Sequence, residues 1–361
     1  MDLRRAGRPS SAALLLVFFA AASLARGAGS PAFAATGADE TITFVSADAT
    51  LVGTLHRAPG PGAHPAIVLL SGTGPARRDG PSFRPLFEPF TAAGYSVFAY
   101  DKRGAGDSPG RFDPYQTVAS LADDGVAAVH ALQRLSGIDP RRVGVWGVSQ
   151  GGWVGPLMAA SSPDVAFVIS VSASGATAGE VEMFQRGEQL RGRGFSADDA
   201  RDVTAFRRVL WAYYGTGYGR DAAQAAYDKA RTRPWFSALK LDAALGTPET
   251  IDPGLREFMR QMLYDPARTA ERVTVPVLVV FGAKDSLAPV DDGVARLMLA
   301  YARGKNPHVE FAVFANGGHG LQLVSGESEC HECFEKDLEA GRYVPVPGYI
   351  ERMTAFLKSL R

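Results

Sequence analysis

The stretch RVGVWGVSQGGWVGPLMAA, residues 142–160, decides the fold. Arg142 to Gly147 reads as a strand and Gly151 to Ala160 as a helix. Between them, Gly147-Val148-Ser149-Gln150-Gly151 spells G-x-S-x-G, and Gly152 follows. A nucleophile at such a junction needs a sharp turn, and the flanking glycines remove side-chain clashes around it. The Ser149 hydroxyl is then lifted above the carboxyl edge of a sheet. The helix start aims backbone N–H groups at any oxyanion formed beside it.

Working outward, the same alternation recurs. Thr41 to Ser46 and Thr50 to His56 read as a strand pair around the polar turn Ala47-Asp48-Ala49. Ala66 to Leu70 is a continuous apolar run, as in a strand buried on both faces. Phe83 to Ala93 reads as helix despite Pro85 and Pro89. Tyr95 to Tyr100 reads as strand, and Gln116 to Leu135 as a long amphipathic helix. Ala166 to Ser172 is the next strand. Later come strands at Pro276 to Phe281 and Val309 to Phe314, with helices at Asp291 to Arg303 and Tyr349 to Leu360. Strand and helix in alternation predict an α/β fold, a mostly parallel sheet with helices on both faces.

The alternation stops over residues 176–270, where no strand pattern is found. Ser196-Ala197-Asp198-Asp199 opens one helix, and Asp221 to Arg231 and Gly254 to Tyr264 read as others. The expectation is a helical cap inserted into the sheet domain. Its aromatic residues, Trp211, Tyr214 and Trp235 among them, suit either a helical core or an apolar acyl pocket.

A serine at its free pKa is a weak nucleophile and needs a base. Of six histidines, His319 in Asn316-Gly317-Gly318-His319-Gly320 directly follows strand 309–314. That is the carboxyl edge from which Ser149 emerges. Asp285 lies just past strand 276–281, and the chain order Ser, Asp, His matches the one this architecture uses. Asp285 would fix the imidazole tautomer. Asp291 and Asp292 are fallbacks that fall within the next helix. An oxyanion hole would take one N–H from Gln150 and another from Ser71-Gly72-Thr73-Gly74, with Thr73 favoured and Gly74 open if the loop is tighter.

With these residues in hand, the chain resembles the α/β-hydrolase superfamily over about residues 41–175 and 271–361. Asp101-Lys102-Arg103-Gly104-Ala105-Gly106-Asp107-Ser108 is similar to the family's D-x-R-G-x-G-x-S loop. Ser71-Gly72-Thr73-Gly74-Pro75 with Arg78-Asp79 resembles a loop of secreted bacterial esterase-like members. The C-terminal domain of bile-acid acyltransferases and the prolyl-oligopeptidase-type peptidases look like cousins. Asp101 and Arg103 are expected to be structural, since a tight glycine loop must satisfy its polar groups. Arg77 and Arg78 could meet a substrate carboxylate or form structural ion pairs.

Cys330-His331-Glu332-Cys333 stands apart. It allows a local disulfide, free thiols or half of a metal site. No second cysteine pair exists to complete a four-cysteine site.

The first 34 residues read as a cleaved signal peptide. Arg4, Arg5 and Arg8 form its basic start, Ala12 to Ala25 its apolar run, and Ala32-Phe33-Ala34 its cleavage site. The expected mature chain begins at Ala35 and carries a net charge of −3, and no stable membrane anchor is expected after cleavage. The whole chain of 361 residues has 38 basic and 38 acidic side chains, so no basic excess points to nucleic acid as partner. The expectation is therefore a secreted or periplasmic serine hydrolase of carboxylic esters, acting on a small molecule with an apolar acyl group. No metal or other cofactor is required by this chemistry. A peptidase or amidase, a thioesterase or acyltransferase, and an inactive binding protein on the same fold are the alternatives.

Overall fold

The computed structural model describes residues 39–113, 116–239, 256, 262–326, 329–330, 336–338 and 340–360. The expected leader, most of the expected helix 254–264, His331 and Cys333 lie outside them.

Eight strands form one sheet. They are β1 (Glu40–Ser46), β2 (Ala49–His56), β3 (His64–Leu70), β4 (Ser96–Tyr100), β5 (Ile138–Val148), β6 (Val168–Val171), β7 (Val277–Gly282) and β8 (Val309–Phe314). Their spatial order is β1-β2-β4-β3-β5-β6-β7-β8. β2 runs antiparallel to both β1 and β4, and every pairing from β4 to β8 is parallel. The sequence accounts for the division. The β4 and β7 segments SVFAY and VLVVFG are buried at every position, as strands covered on both faces must be. β1 instead alternates buried and accessible residues, as an antiparallel strand with one wet face does.

Successive side chains of a strand point to opposite faces, so each central strand feeds two cores. On one face Val68, Leu70 and Val145 pack with Leu121, Leu132 and Met158. These last three come from helices α2 (Val118–Gln133) and α3 (Gln150–Ser161). On the other face Ile67, Leu69 and Trp146 pack with Leu86 and Phe90 of α1 (Arg84–Ala92) and with Met353 and Phe356 of the closing helix Tyr349–Ser359. Each such side chain contributes roughly 1.5–3 kcal/mol on burial. Helix α2 starts where Thr117 accepts from the Ser120 N–H at 2.9 Å while Ser120 Oγ accepts from the Thr117 N–H at 3.0 Å.

Two elements depart from the sequence expectation. β5 begins at Ile138, before Pro140, because His64 pairs with Ile138 ahead of an irregularity in the β3–β5 register. Helix α4 (Ala178–Gly192) was not expected at all. Three glycines and five charged residues hide its periodicity. Its start is nonetheless signalled by Thr177-Ala178-Gly179-Glu180, where the Thr177 N–H donates to Glu180 Oε2 at 2.8 Å.

The described residues from 186 to 239, with Arg256, form a compact helical unit of their own. It contains α5 (Ala197–Thr216), α6 (Arg220–Ala230) and α7 (Pro234–Ala238). The start of α5 is fixed by Ser196, whose hydroxyl donates to Asp199 Oδ2 at 2.6 Å. Within this unit Trp235 is 1% exposed, with its ring centroid 5.8 Å from that of Phe206. Tyr214 is buried as well. Trp235 and Tyr214 thus take part in the core of the helical unit.

Candidate active site

Ser149 stands between the end of β5 and the start of α3. Its backbone has φ 56° and ψ −121°, a conformation that costs a residue with a Cβ about 1–3 kcal/mol. The turn is held because strand and helix start almost touch. A Cβ added to Gly147 would lie 2.1 Å from the Gly151 carbonyl oxygen, and one on Gly151 would lie 2.3 Å from that of Leu70. Ser149 N–H donates to Val171 O at 2.9 Å, so the elbow is tied to β6.

Asp285 and His319 come from the neighbouring carboxyl ends. Gly282 closes β7 and pairs with Phe314, which closes β8. The two following loops are joined by the Lys284 N–H donating to Gly317 O at 2.9 Å. Asp285 Oδ2 then lies 2.8 Å from His319 Nδ1. A carboxylate can only accept, so Nδ1 carries the proton and Nε2 keeps its lone pair. His319 Nε2 is buried and has no hydrogen-bond partner among the described residues. The other oxygen of Asp285 accepts the N–H groups of Leu287 at 2.7 Å and Ala288 at 2.9 Å, which fixes the carboxylate plane. Burial alone would lower the imidazole pKa. The charge of Asp285, its hydrogen bond and the charge of Glu329 outweigh that and hold it above 6.5. The fallback Asp292 is engaged elsewhere, 2.9 Å from Arg296.

The loop after β3 runs alongside Ser149. A Cβ on Gly72 would meet Ser149 Cβ at 3.4 Å and Oγ at 3.8 Å, which brings Ser71-Gly72-Thr73-Gly74 against the nucleophile candidate. Gln150 is the first residue of α3, where backbone N–H groups have no helical acceptor. Lys102, which sequence reasoning passed over as a variable loop position, stands behind both segments. Its Nζ donates to Gly72 O at 2.5 Å and Gln150 Oε1 at 3.3 Å. Burial pushes the amine down to about 7, against a weak opposing pull from Asp124. Carbonyl and N–H of a trans peptide point in opposite directions. By holding the Gly72 carbonyl, Lys102 sets the direction of the Thr73 N–H.

The remaining loop residues are scaffolding. Asp101 is fully buried and accepts the N–H groups of Arg78 and Asp107, each at 2.7 Å, with the Arg78 guanidinium on the same carboxylate. Arg103 makes bidentate contacts to Asp124 at 2.7 and 2.9 Å. Arg77 pairs with Asp79 at 3.0 Å on the surface. Arg77 and Arg78 are therefore both in ion pairs. Cys330 is disulfide-bonded, which removes it from the free-thiol and metal alternatives. No cluster of three His, Cys, Asp or Glu side chains suited to a metal occurs among the described residues.

Comparison with known proteins places the fold. The model of the alpha/beta hydrolase family matches residues 67–333. The quorum-quenching protein AidA of Acinetobacter baumannii is 35% identical over 129 residues, which span 36% of this chain and 42% of that protein. A 2-hydroxy-6-oxononadienedioate/2-hydroxy-6-oxononatrienedioate hydrolase of Pseudomonas putida is 27% identical over 270 residues, spanning 72% and 83% of the two chains. Among solved structures, the Pyrococcus furiosus esterase Pf2001 superposes with a TM-score of 0.53 at 17% identity, over 90% of this chain and 91% of that one.

Proposed function

The chain belongs to the alpha/beta hydrolase family, and on that premise we propose that it is an exported serine hydrolase that cleaves carboxylic esters. The observation that carries this reading is the 2.8 Å Asp285–His319 pair, with a buried and unpartnered Nε2, on the sheet edge where strained Ser149 emerges.

The chemistry follows from the atoms. His319 Nε2 takes the proton of Ser149 Oγ as the oxygen attacks the acyl carbonyl. The tetrahedral oxyanion receives the N–H groups of Thr73 and Gln150. The imidazolium, steadied by Asp285, returns its proton to the leaving alcohol. Water then attacks the acyl-enzyme by the same route and releases the acid.

A fluorophosphonate probe and a substrate panel test this. The probe should label the wild-type protein and leave Ser149→Ala unlabelled. Among p-nitrophenyl esters, aminoacyl p-nitroanilides, acyl thioesters and the dienedioate that names the Pseudomonas relative, the esters should turn over fastest. Labelling without ester turnover would keep the nucleophile and remove the substrate class. No labelling would remove the reading.

A further inference from the structure

Sequence reasoning did not single out Glu329. Its carboxylate is 8% exposed and takes four hydrogen bonds from three points of the chain. Oε2 accepts the backbone N–H of His319 at 3.2 Å, the N–H of Ser286 at 3.0 Å and the Ser286 hydroxyl at 3.1 Å. Oε1 accepts Gln322 Nε2 at 2.6 Å. Ser286 adjoins Asp285, and Gln322 also holds the His319 loop, its Oε1 accepting the Gly320 N–H at 2.9 Å. One buried carboxylate thus fastens the segment that carries the acid to the segment that carries the base.

Resting on the serine-hydrolase reading, we infer that Glu329 is a positioning residue for the Asp285–His319 pair, fixing its geometry and adding a second negative charge behind the imidazole. Two observations join in this. Four donors converge on the carboxylate, and hydrogen bonds of this charged kind are about twice as strong as neutral ones. The carboxylate also contacts His319 through its backbone, so it leaves both ring nitrogens free for their own partners. The charged and titratable groups around His319 are few. Asp285 binds Nδ1. Lys284 turns its amine to Val324 O and Gly326 O. The Tyr343 hydroxyl donates to Gly320 O. Glu329 is therefore the second anion of the pair's surroundings, and its charge adds to that of Asp285 in favouring the imidazolium. Next to it, disulfide-bonded Cys330 restrains the backbone from which the carboxylate projects.

The experiment compares kcat/KM against pH for the wild type, E329Q and E329D, with fluorophosphonate labelling of each. Wild-type labelling that Ser149→Ala abolishes establishes the underlying reading first; if it fails, that reading falls independently of Glu329. Given it, E329Q removes the charge at nearly constant shape. Its acid limb should move down by on the order of half a pH unit or more, and kcat should fall about ten- to hundredfold from loosened geometry. E329D keeps the charge but shortens the reach. It should leave the limb in place and lower kcat with little change in KM. An acid limb of E329Q that coincides with the wild type overturns the inference. If E329Q does not fold, E329D decides: wild-type kcat in E329D overturns the inference equally.

Discussion

Replacing Ser149 by glycine and by alanine should separate chemistry from backbone strain at one position. Both variants lose the hydroxyl, and removing the nucleophile of a related triad costs on the order of a millionfold in turnover. Stability should part them. The Ser149 side chain caps nothing at the start of α3, so alanine removes no helix-capping hydrogen bond and keeps the strained backbone. Glycine adopts φ 56° without the Cβ penalty. That relief is worth about 1–3 kcal/mol, less roughly 0.5–1 kcal/mol for the extra freedom glycine gains when unfolded. The net gain is about 0–2.5 kcal/mol, centred near 1, which at roughly 2–4 °C per kcal/mol raises Tm by up to about 10 °C. Calorimetry of the two variants side by side measures it, with probe labelling confirming that both are dead. A glycine variant melting at or below the alanine variant would refute the argument that the elbow stores strain for its nucleophile.

Other outcomes follow from the same geometry. His319→Gln should abolish turnover, and the wild-type acid limb of kcat/KM should lie above pH 6.5, because Asp285 and Glu329 outweigh burial. The raised folded-state pKa also means that charged His319 adds stability below about pH 6.5, lost as pH rises through the folded value; melts of wild type against His319→Gln should converge on that path. For Lys102 the sign reverses. Its amine titrates at about 7 when folded and near 10.5 when free, so the unfolded chain binds the extra proton between those values. The wild type should gain on Lys102→Met by on the order of a few kcal/mol as pH rises across that window, while Lys102→Met loses kcat because the Gly72 carbonyl loses its donor. Gly147→Ala should fail to give soluble protein, since the new methyl meets the Gly151 carbonyl oxygen at 2.1 Å, checked by expression and circular dichroism. Trp235→Ala should cost about 3–5 kcal/mol in denaturant melts, the usual loss for a buried aromatic.

Much of the site was legible because strand ends are legible. Mainly apolar segments mark the ends of β5, β7 and β8, and a functional residue of this architecture is expected within a few positions of such an end. Ser149, Asp285 and His319 each lie there, and Asp285 and His319 prove to be hydrogen-bonded partners. Residues acting through hydrogen bonds from elsewhere carry no such mark. Lys102 occupies a loop position that a pattern treats as free, and only the fold turns its amine toward Gly72. Glu329 sits beside a cysteine pair that drew the attention instead, in a segment without periodicity. Helix α4 was missed for a local reason: its glycines blur the apolar stripe, although the capping signature at Thr177 and Glu180 was there to be read.

The pairing of β6 with β7 has a consequence for how the chain is made. Val168 meets Val277 and Val171 meets Val280, across the whole helical insertion. Everything on the nucleophile side of that seam leaves the ribosome first. Until residues 277–280 are synthesised, the apolar segment Val168–Val171 is an unpaired parallel edge, the kind that recruits other strands. Closing it joins residues distant in sequence, which is slow for parallel pairing. Truncated or stalled chains that end within the insertion should therefore be the aggregation-prone species. The strand that shields this edge, β7, leads directly into Asp285. A chain that completes its sheet also gains Asp285 and His319, so the covered edge and the hydrogen-bonded pair proposed to act with Ser149 are acquired in the same late step of synthesis.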